Sequence, residues 1–150
     1  NPHLGEISLE CSRAGAAAAA LWLTLRSLDL APILSAGVRA ARAWAALLED
    51  SDVLRLHVEP QLDIVSYFPN RARASEIDAE SERILNAGMT DPDPIFLSTL
   101  RIDAADFAAA HPDVHMDTDG VRILRSVLMK PEHETYVEHL HDRVRSLVNA

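Results

Sequence analysis

The first 50 residues carry two runs of apolar positions that predict helices. Residues 14–25 are Ala-rich and apolar on nearly every side, which predicts a buried helix from an N-cap at Ser12 to about Ser27. Such a helix must be covered on several sides, so we expect a partner subunit or further chain to pack against it. After Pro32, apolar residues recur at helical spacing and predict an amphipathic helix with a buried stripe at Leu34, Val38, Ala41, Ala45 and Leu48.

Alternation of apolar and polar residues predicts four strands in the rest of the chain. The strands are predicted at residues 53–58, 62–68, 95–100 and 121–129. The first two flank a turn at Glu59-Pro60 and are therefore expected to form a strand pair.

Three further helices are predicted, at residues 75–85, at residues 104–110 and from Pro131 onward. The first is expected to end at Asn86-Ala87-Gly88. The last has a buried stripe predicted at Tyr136, Val137, Leu140, Val144 and Leu147. This order of elements implies an α/β protein of the α+β type, with a small mixed or antiparallel sheet and helices packed on one face.

Composition narrows the functional classes. The 150 residues are 48% hydrophobic and 25% charged, which is typical of one globular soluble domain or a large part of one. A net charge of −9 with scattered cations argues against nucleic acid as a partner. The longest apolar run is too short to span a bilayer, and the single cysteine, Cys11, can form no internal disulfide. We therefore expect a cytoplasmic protein that neither enters a membrane nor binds nucleic acid.

Arg125 is the most informative single position. Alternation in the fourth strand places it on one face with Val121, Ile123, Val127 and Met129. A guanidinium buried without a partner in an apolar stripe costs several kcal/mol. Two interpretations follow: an internal ion pair with a carboxylate of this chain, or a cleft in which Arg125 grips the carboxylate of a ligand.

The histidines, the lysine and the short sequence motifs of the chain predict no catalytic or metal site. The seven histidines lack the spacing of metal ligands. His111 and His115 flank a proline, and His139 and His141 point to opposite sides of a helix. We therefore expect solvated surface histidines and no metal. Lys130, the single lysine, ends a strand before two glutamates and is expected to be solvated rather than to form a Schiff base. No nucleophile elbow, Walker loop or dinucleotide fingerprint occurs.

Three segments carry a resemblance to a known family. The first runs from Glu10-Cys11-Ser12-Arg13 into the Leu-Trp helix at residues 20–26. The second is the strand at residues 60–68, PQLDIVSYF, and the third is residues 124–131, LRSVLMKP, with the closing helix. In this order they resemble the Ser-Arg segment, the PELNIVCFR strand and the C-terminal LR-x-x-x-x-NP strand of group II pyridoxal-phosphate-dependent amino acid decarboxylases.

The resemblance implies the C-terminal portion of a fold type I enzyme. Residues 1–32 would be the end of the large domain with its connecting helix, and residues 33–150 the C-terminal small domain. The whole enzyme would be a homodimeric carboxy-lyase that releases CO2 from an L-amino acid with pyridoxal 5′-phosphate as cofactor. The family's cofactor lysine lies in a His-Lys motif upstream of the matched region, so the chain by itself is expected to be inactive.

The resemblance also implies roles for three residues. Arg125 matches the arginine with which members acting on acidic substrates hold a substrate carboxylate. Ser12 and Arg13 match the Ser-Arg element, which would suit the cofactor phosphate of a neighbouring subunit, although Cys11 replaces the family's usual glycine. Two alternatives stay open: a non-catalytic ligand-binding or dimerisation module of the same fold, and a pyridoxal-phosphate aminotransferase or aldehyde lyase. The particular substrate is not readable from the sequence.

Overall fold

The computed structural model describes residues 15–149, and the chain divides into two compact units, residues 1–32 and residues 33–150. That these units are the end of a large domain and a small domain stays a prediction. In the first unit, α1 (Ala16–Ser27) has Gly15 at its N-cap position, and the predicted cap Ser12 lies outside the described residues.

The helix α1 is apolar, yet its side chains are exposed. No residue of the helix is buried within this chain, and Leu21, Trp22, Leu23 and Leu25 are each more than half exposed. Cover by a partner subunit or by further chain therefore stays a prediction.

The second unit is built on one antiparallel sheet. Its strands are β1 (Leu54–Leu56), β2 (Ile64–Pro69), β3 (Ser98–Asp103) and β4 (Gly120–Val127), in the spatial order β1-β2-β4-β3. Every neighbouring pair is antiparallel, which confirms the predicted strand pair and the small antiparallel sheet. The strand ends differ from the predicted ends by a few residues, because periodicity locates a strand better than its last hydrogen bond.

Three helices pack on one face of this sheet. They are α2 (Ala31–Glu49), α3 (Ala74–Thr90) and α5 (His133–Asn149). The side chains of Trp44, Ile84 and Val144, one from each helix, join Tyr67 and Leu124 of the central strands in one buried cluster. The predicted packing of helices on one face therefore holds for these three helices, but not for the short helix between β3 and β4.

A short helix lies on the other face. In α4 (Ala104–Ala110), predicted with the same ends, Phe107 is fully buried and clusters with Phe68, Val121 and Ile123. These three strand residues alternate with Tyr67 and Leu124, so they point away from the larger helical layer. The helix therefore covers the half of this second face that lies near the end of the sheet with Phe68 and Val121.

Three details of the helices differ from the predictions. The buried stripe of α2 is rotated toward Trp44, and Leu34 is 65% exposed. Tyr136 of α5 is 48% exposed, and His141 is buried in the place of a predicted apolar contact. The helix α3 continues past Gly88, since this glycine serves close packing rather than termination.

Gly88 is a point of close approach. A Cβ there would lie 2.8 Å from Cγ2 and 2.9 Å from the carbonyl oxygen of Ile95. The amide of Ile95 also donates to the carbonyl of Gly88 at 2.9 Å. The missing side chain thus lets the segment that leads into β3 lie directly on α3.

Among residues 15–149, no individual helix combines the length and the apolar composition that a span requires. Only α1 and α2 taken together, across the break between them, reach these values.

Candidate carboxylate-binding site

A row of polar side chains crosses the half of the second face that α4 leaves uncovered. Arg125 of β4 lies between Ser98 of β3 and Ser66 of β2, each of which is its direct partner in the strand register. The amide of His57 donates to the carbonyl of Ser66 at 2.9 Å, so His57 continues the row beyond β1. Direct partners in neighbouring strands point to the same face, so the four side chains share one surface.

Apolar side chains border this row. Ile64 is 45% exposed, Leu100 is 39% exposed and Val127 is half-buried, and all three share the face of Arg125. A cavity of about 490 Å³ adjoins Ser66 and is lined by Ile64 and the loop at residues 58–62. The surface therefore combines one cation with an apolar border, which suits a small ligand that has a carboxylate and an organic side chain.

The side chain of Arg125 is held in place by Ser98. Nε of Arg125 donates a hydrogen bond to Oγ of Ser98 at 3.2 Å, and the same hydroxyl donates to the backbone carbonyl of Arg125 at 2.9 Å. Among residues 15–149, no carboxylate lies within 4.0 Å of the guanidinium. Of the two sequence-based interpretations, the internal ion pair is thus wrong for the described chain.

The missing carboxylate distinguishes Arg125 from the other half-buried arginines among residues 15–149. Within the described ranges, every other half-buried arginine has an acidic partner. These are Arg55 with Asp113, Arg71 and Arg83 with Glu80, Arg122 with Glu82, and Arg143 with Asp91. Because a partly buried cation is costly without an anion, Arg125 is the position where a ligand carboxylate gains most.

Two histidines meet at the edge of this surface. Nδ1 of His57 and Nε2 of His111 are 3.0 Å apart, and both rings pack on Phe107. Burial lowers the pKa of both histidines, and the neighbouring His57 and Arg55 lower the pKa of His111 further. The pair is therefore neutral near pH 7, with one ring donating to the other.

The prediction that the histidines are solvated is wrong for two of them. His111 is 7% exposed and His141 is 4% exposed. His111 follows α4 directly and turns back into the cluster around Phe68. In the described part of the chain, no three potential ligand side chains come close enough to hold a metal ion.

The other residues considered for a site lie outside the described residues or are exposed. Ser12 and Arg13 lie outside the described residues, so their cofactor role stays a prediction. Lys130 is exposed in the bend after β4. Ser98 and Ser66 were missed as neighbours of Arg125, because only the strand order β2-β4-β3 brings them there. The alternation of Arg55 and His57 in the predicted strand at residues 53–58 was the available signal for His57.

Comparison with known proteins gives a structural match only. No protein-family model matches the chain, and no curated protein matches it. Among solved structures, the glutamate decarboxylase domain of diaminobutyrate–pyruvate transaminase and L-2,4-diaminobutyrate decarboxylase from Vibrio parahaemolyticus matches with a TM-score of 0.61 at 14% identity. That match covers 85% of this chain and 25% of the other.

Two plant enzymes match over the same extent. TDC from Oryza sativa, solved with PLP and tryptamine, has a TM-score of 0.65 at 13% identity and covers 86% of this chain and 26% of its own. Tryptophan decarboxylase from Catharanthus roseus, in complex with L-tryptophan, has a TM-score of 0.59 at 14% identity, with coverages of 85% and 25%. The chain thus spans about a quarter of the length of these structures. Its helices and four-stranded antiparallel sheet have the fold of the C-terminal portion of pyridoxal-phosphate-dependent amino acid decarboxylases.

Proposed function

We propose that this chain is the C-terminal portion of a pyridoxal-phosphate-dependent amino acid decarboxylase and that Arg125 binds a carboxylate of the substrate. The observation that carries the proposal is Arg125 itself, the half-buried arginine that lacks an acidic partner among residues 15–149. The fold of the solved decarboxylases and the motif LRSVLMKP at residues 124–131 support the same assignment.

Arg125 contributes binding and orientation. Its guanidinium offers parallel N–H donors that fit the two oxygens of a carboxylate. The side chain rests on a central strand of the sheet and is tied to Ser98, so a bound carboxylate is held in one direction. Restricting the substrate in this way lowers the entropy that the reaction must lose later.

The described residues do not fit the covalent site of the cofactor. Lys130 is the only lysine of the chain, and it is exposed beyond the end of β4. The groups that bind pyridoxal phosphate therefore belong, in this proposal, to residues outside 15–149 and to further chain of the whole enzyme. The chain alone is expected to release no CO2, and the enzyme is expected to act as a homodimer.

The test uses the protein expressed from its native gene, loaded with pyridoxal phosphate. CO2 and amine release are measured with L-glutamate, L-2,4-diaminobutyrate and L-tryptophan, which are taken from the names of the structural neighbours. Release of CO2 with an equal amount of amine supports the proposal. Formation of a keto acid or an aldehyde in place of the amine assigns an aminotransferase or an aldehyde lyase instead.

The same panel separates two modes of carboxylate binding. If Arg125 holds the α-carboxylate, Arg125→Ala lowers kcat/KM for all substrates. If it holds a side-chain carboxylate, the loss is confined to L-glutamate. Binding of amino acids without any chemical turnover would contradict the decarboxylase and indicate a non-catalytic ligand-binding module.

A further inference from the structure

We propose that Ser98 is a positioning residue that fixes the guanidinium of Arg125 for end-on binding of a carboxylate. This inference rests on the proposed function of Arg125 and adds a residue to it. Ser98 is the first residue of β3 and the direct strand partner of Arg125, so its short side chain reaches only this one neighbour.

The hydroxyl of Ser98 makes two hydrogen bonds to Arg125. Its one proton goes to the backbone carbonyl of Arg125 at 2.9 Å, and its oxygen accepts the Nε–H of Arg125 at 3.2 Å. A hydroxyl has one donor and two acceptor sites, so both bonds form at once. The serine therefore links the main chain and the side chain of the same arginine.

This link selects how the guanidinium meets a ligand. Of the five N–H groups of an arginine, the one on Nε is occupied by Ser98, and the four on the two Nη atoms lie at the far end of the side chain. A carboxylate can then bind across the two Nη atoms, while the side-on mode that uses Nε is blocked. The link also removes rotamer freedom that an arginine otherwise loses when it binds.

The expected effect is moderate, because Ser98 acts through another residue. The Nε–H···Oγ bond has one charged partner, and such a bond contributes about 1.5–3 kcal/mol. Because Arg125 keeps its own contact with the carboxylate when Ser98 is removed, only about 1 kcal/mol of this, roughly fivefold in an equilibrium constant, is expected to reach ligand binding. Ser98→Ala is therefore expected to raise KM about fivefold with a smaller change in kcat. Ser98→Thr keeps the hydroxyl and is expected to return KM to within about twofold of the wild type.

A double-mutant cycle in the pyridoxal-phosphate-loaded enzyme from the native gene tests the coupling. In an Arg125→Lys background the Nε–H donor is gone, so Ser98→Ala is expected to change kcat/KM less than about twofold. Thr99→Val, with its side chain on the opposite face of the same strand, is the matched control and is expected to behave like the wild type. Equal losses from Ser98→Ala in both backgrounds, or no loss in either, would overturn the positioning role.

A second measurement does not depend on turnover. Arg125 is labelled with phenylglyoxal, and the extent of labelling is measured by mass spectrometry of the peptide. The extent of labelling in sodium acetate is compared with that in sodium chloride at equal ionic strength. Acetate is expected to protect Arg125, and Ser98→Ala is expected to raise the half-protecting acetate concentration about fivefold. Protection that depends on Ser98 without any CO2 release would contradict the decarboxylase but keep the positioning role. Protection that is unchanged in Ser98→Ala, or absent in the wild type, overturns the inference.

Discussion

His57 and His111 share a hydrogen bond between Nδ1 and Nε2 at 3.0 Å, which joins the residue after β1 to the residue after α4. Phe68 and Phe107 pack around the pair, and Phe107 stacks on the ring of His57. The pair thus lies at one edge of the surface that carries Arg125, and burial lowers the pKa of both imidazoles.

This pair makes the fold sensitive to mild acid. Burial lowers the pKa of His57 and of His111 below the ordinary 6.5, whereas the unfolded chain has the ordinary value. The unfolded state therefore binds more protons below about pH 6.5, and stability is lost as the pH falls through this range. His111→Phe is expected to flatten the fall in the free energy of unfolding between pH 7 and pH 5, measured by urea denaturation.

Exposed His115 supplies the control for this prediction. His115→Gln is expected to keep the wild-type pH dependence, since its side chain lies outside the aromatic cluster. A slope in His111→Phe as steep as that of the wild type would show that the pair does not govern the acid response.

Asp117 stabilises the fold in a way that depends on pH in a more acidic range. It accepts hydrogen bonds from the hydroxyl of Ser75 at 2.7 Å and from the amide of Ser75 at 2.9 Å, and it pairs with Arg73 at 3.0 Å. These contacts lower the pKa of Asp117 from 3.8 to about 2. The stabilisation is therefore present above about pH 4 and is lost as the pH falls toward 2.

Asp117→Asn tests this link between α3 and the loop before β4. The variant is expected to be less stable than the wild type at pH 6, and the difference in urea midpoint is expected to shrink at pH 3. Glu138→Gln, an exposed change on α5, serves as the control with no such pH dependence. A difference that stays constant from pH 6 to pH 3 would argue against a native ion pair at Asp117.

Gly88 gives a prediction about packing. In an exposed helix, replacing glycine by alanine stabilises by up to about 1 kcal/mol. At Gly88 a Cβ would collide with the backbone and side chain of Ile95, so Gly88→Ala is expected to destabilise by about 1–3 kcal/mol. Gly15→Ala, where nothing lies within 4 Å of a new Cβ, is the matched control. Gly88→Ala at or above wild-type stability in thermal unfolding would rule out the close contact.

Local sequence patterns were enough for most of the fold. Alternation in residues 121–129 located β4 and placed Arg125 with Val121 and Ile123, as observed. They were not enough where a residue's role depends on a distant segment. The sequence predicts a helix end at Gly88, because it does not show that the segment before β3 packs against this glycine through Ile95. It predicts a solvated His111, because the partner His57 is 54 positions away.

The candidate site shows the same division. Arg125 is recognisable because a cation interrupts an apolar stripe within one strand. Ser98 precedes it by 27 positions, and only the pairing of β3 with β4 brings its hydroxyl to Nε. Local periodicity can therefore identify the candidate cation, whereas the side chains that contact it can be found only from the strand order.

The most direct test of a carboxylate-binding Arg125 is kcat/KM for CO2 release by the pyridoxal-phosphate-loaded enzyme from the native gene, in the wild type and in Arg125→Ala. The loss of a charged hydrogen-bonding partner predicts a fall of about tenfold or more. Arg122→Ala removes a cation of the same strand that faces the opposite side and pairs with Glu82, and it is expected to retain the wild-type value. A value of kcat/KM near that of the wild type in Arg125→Ala would contradict the account.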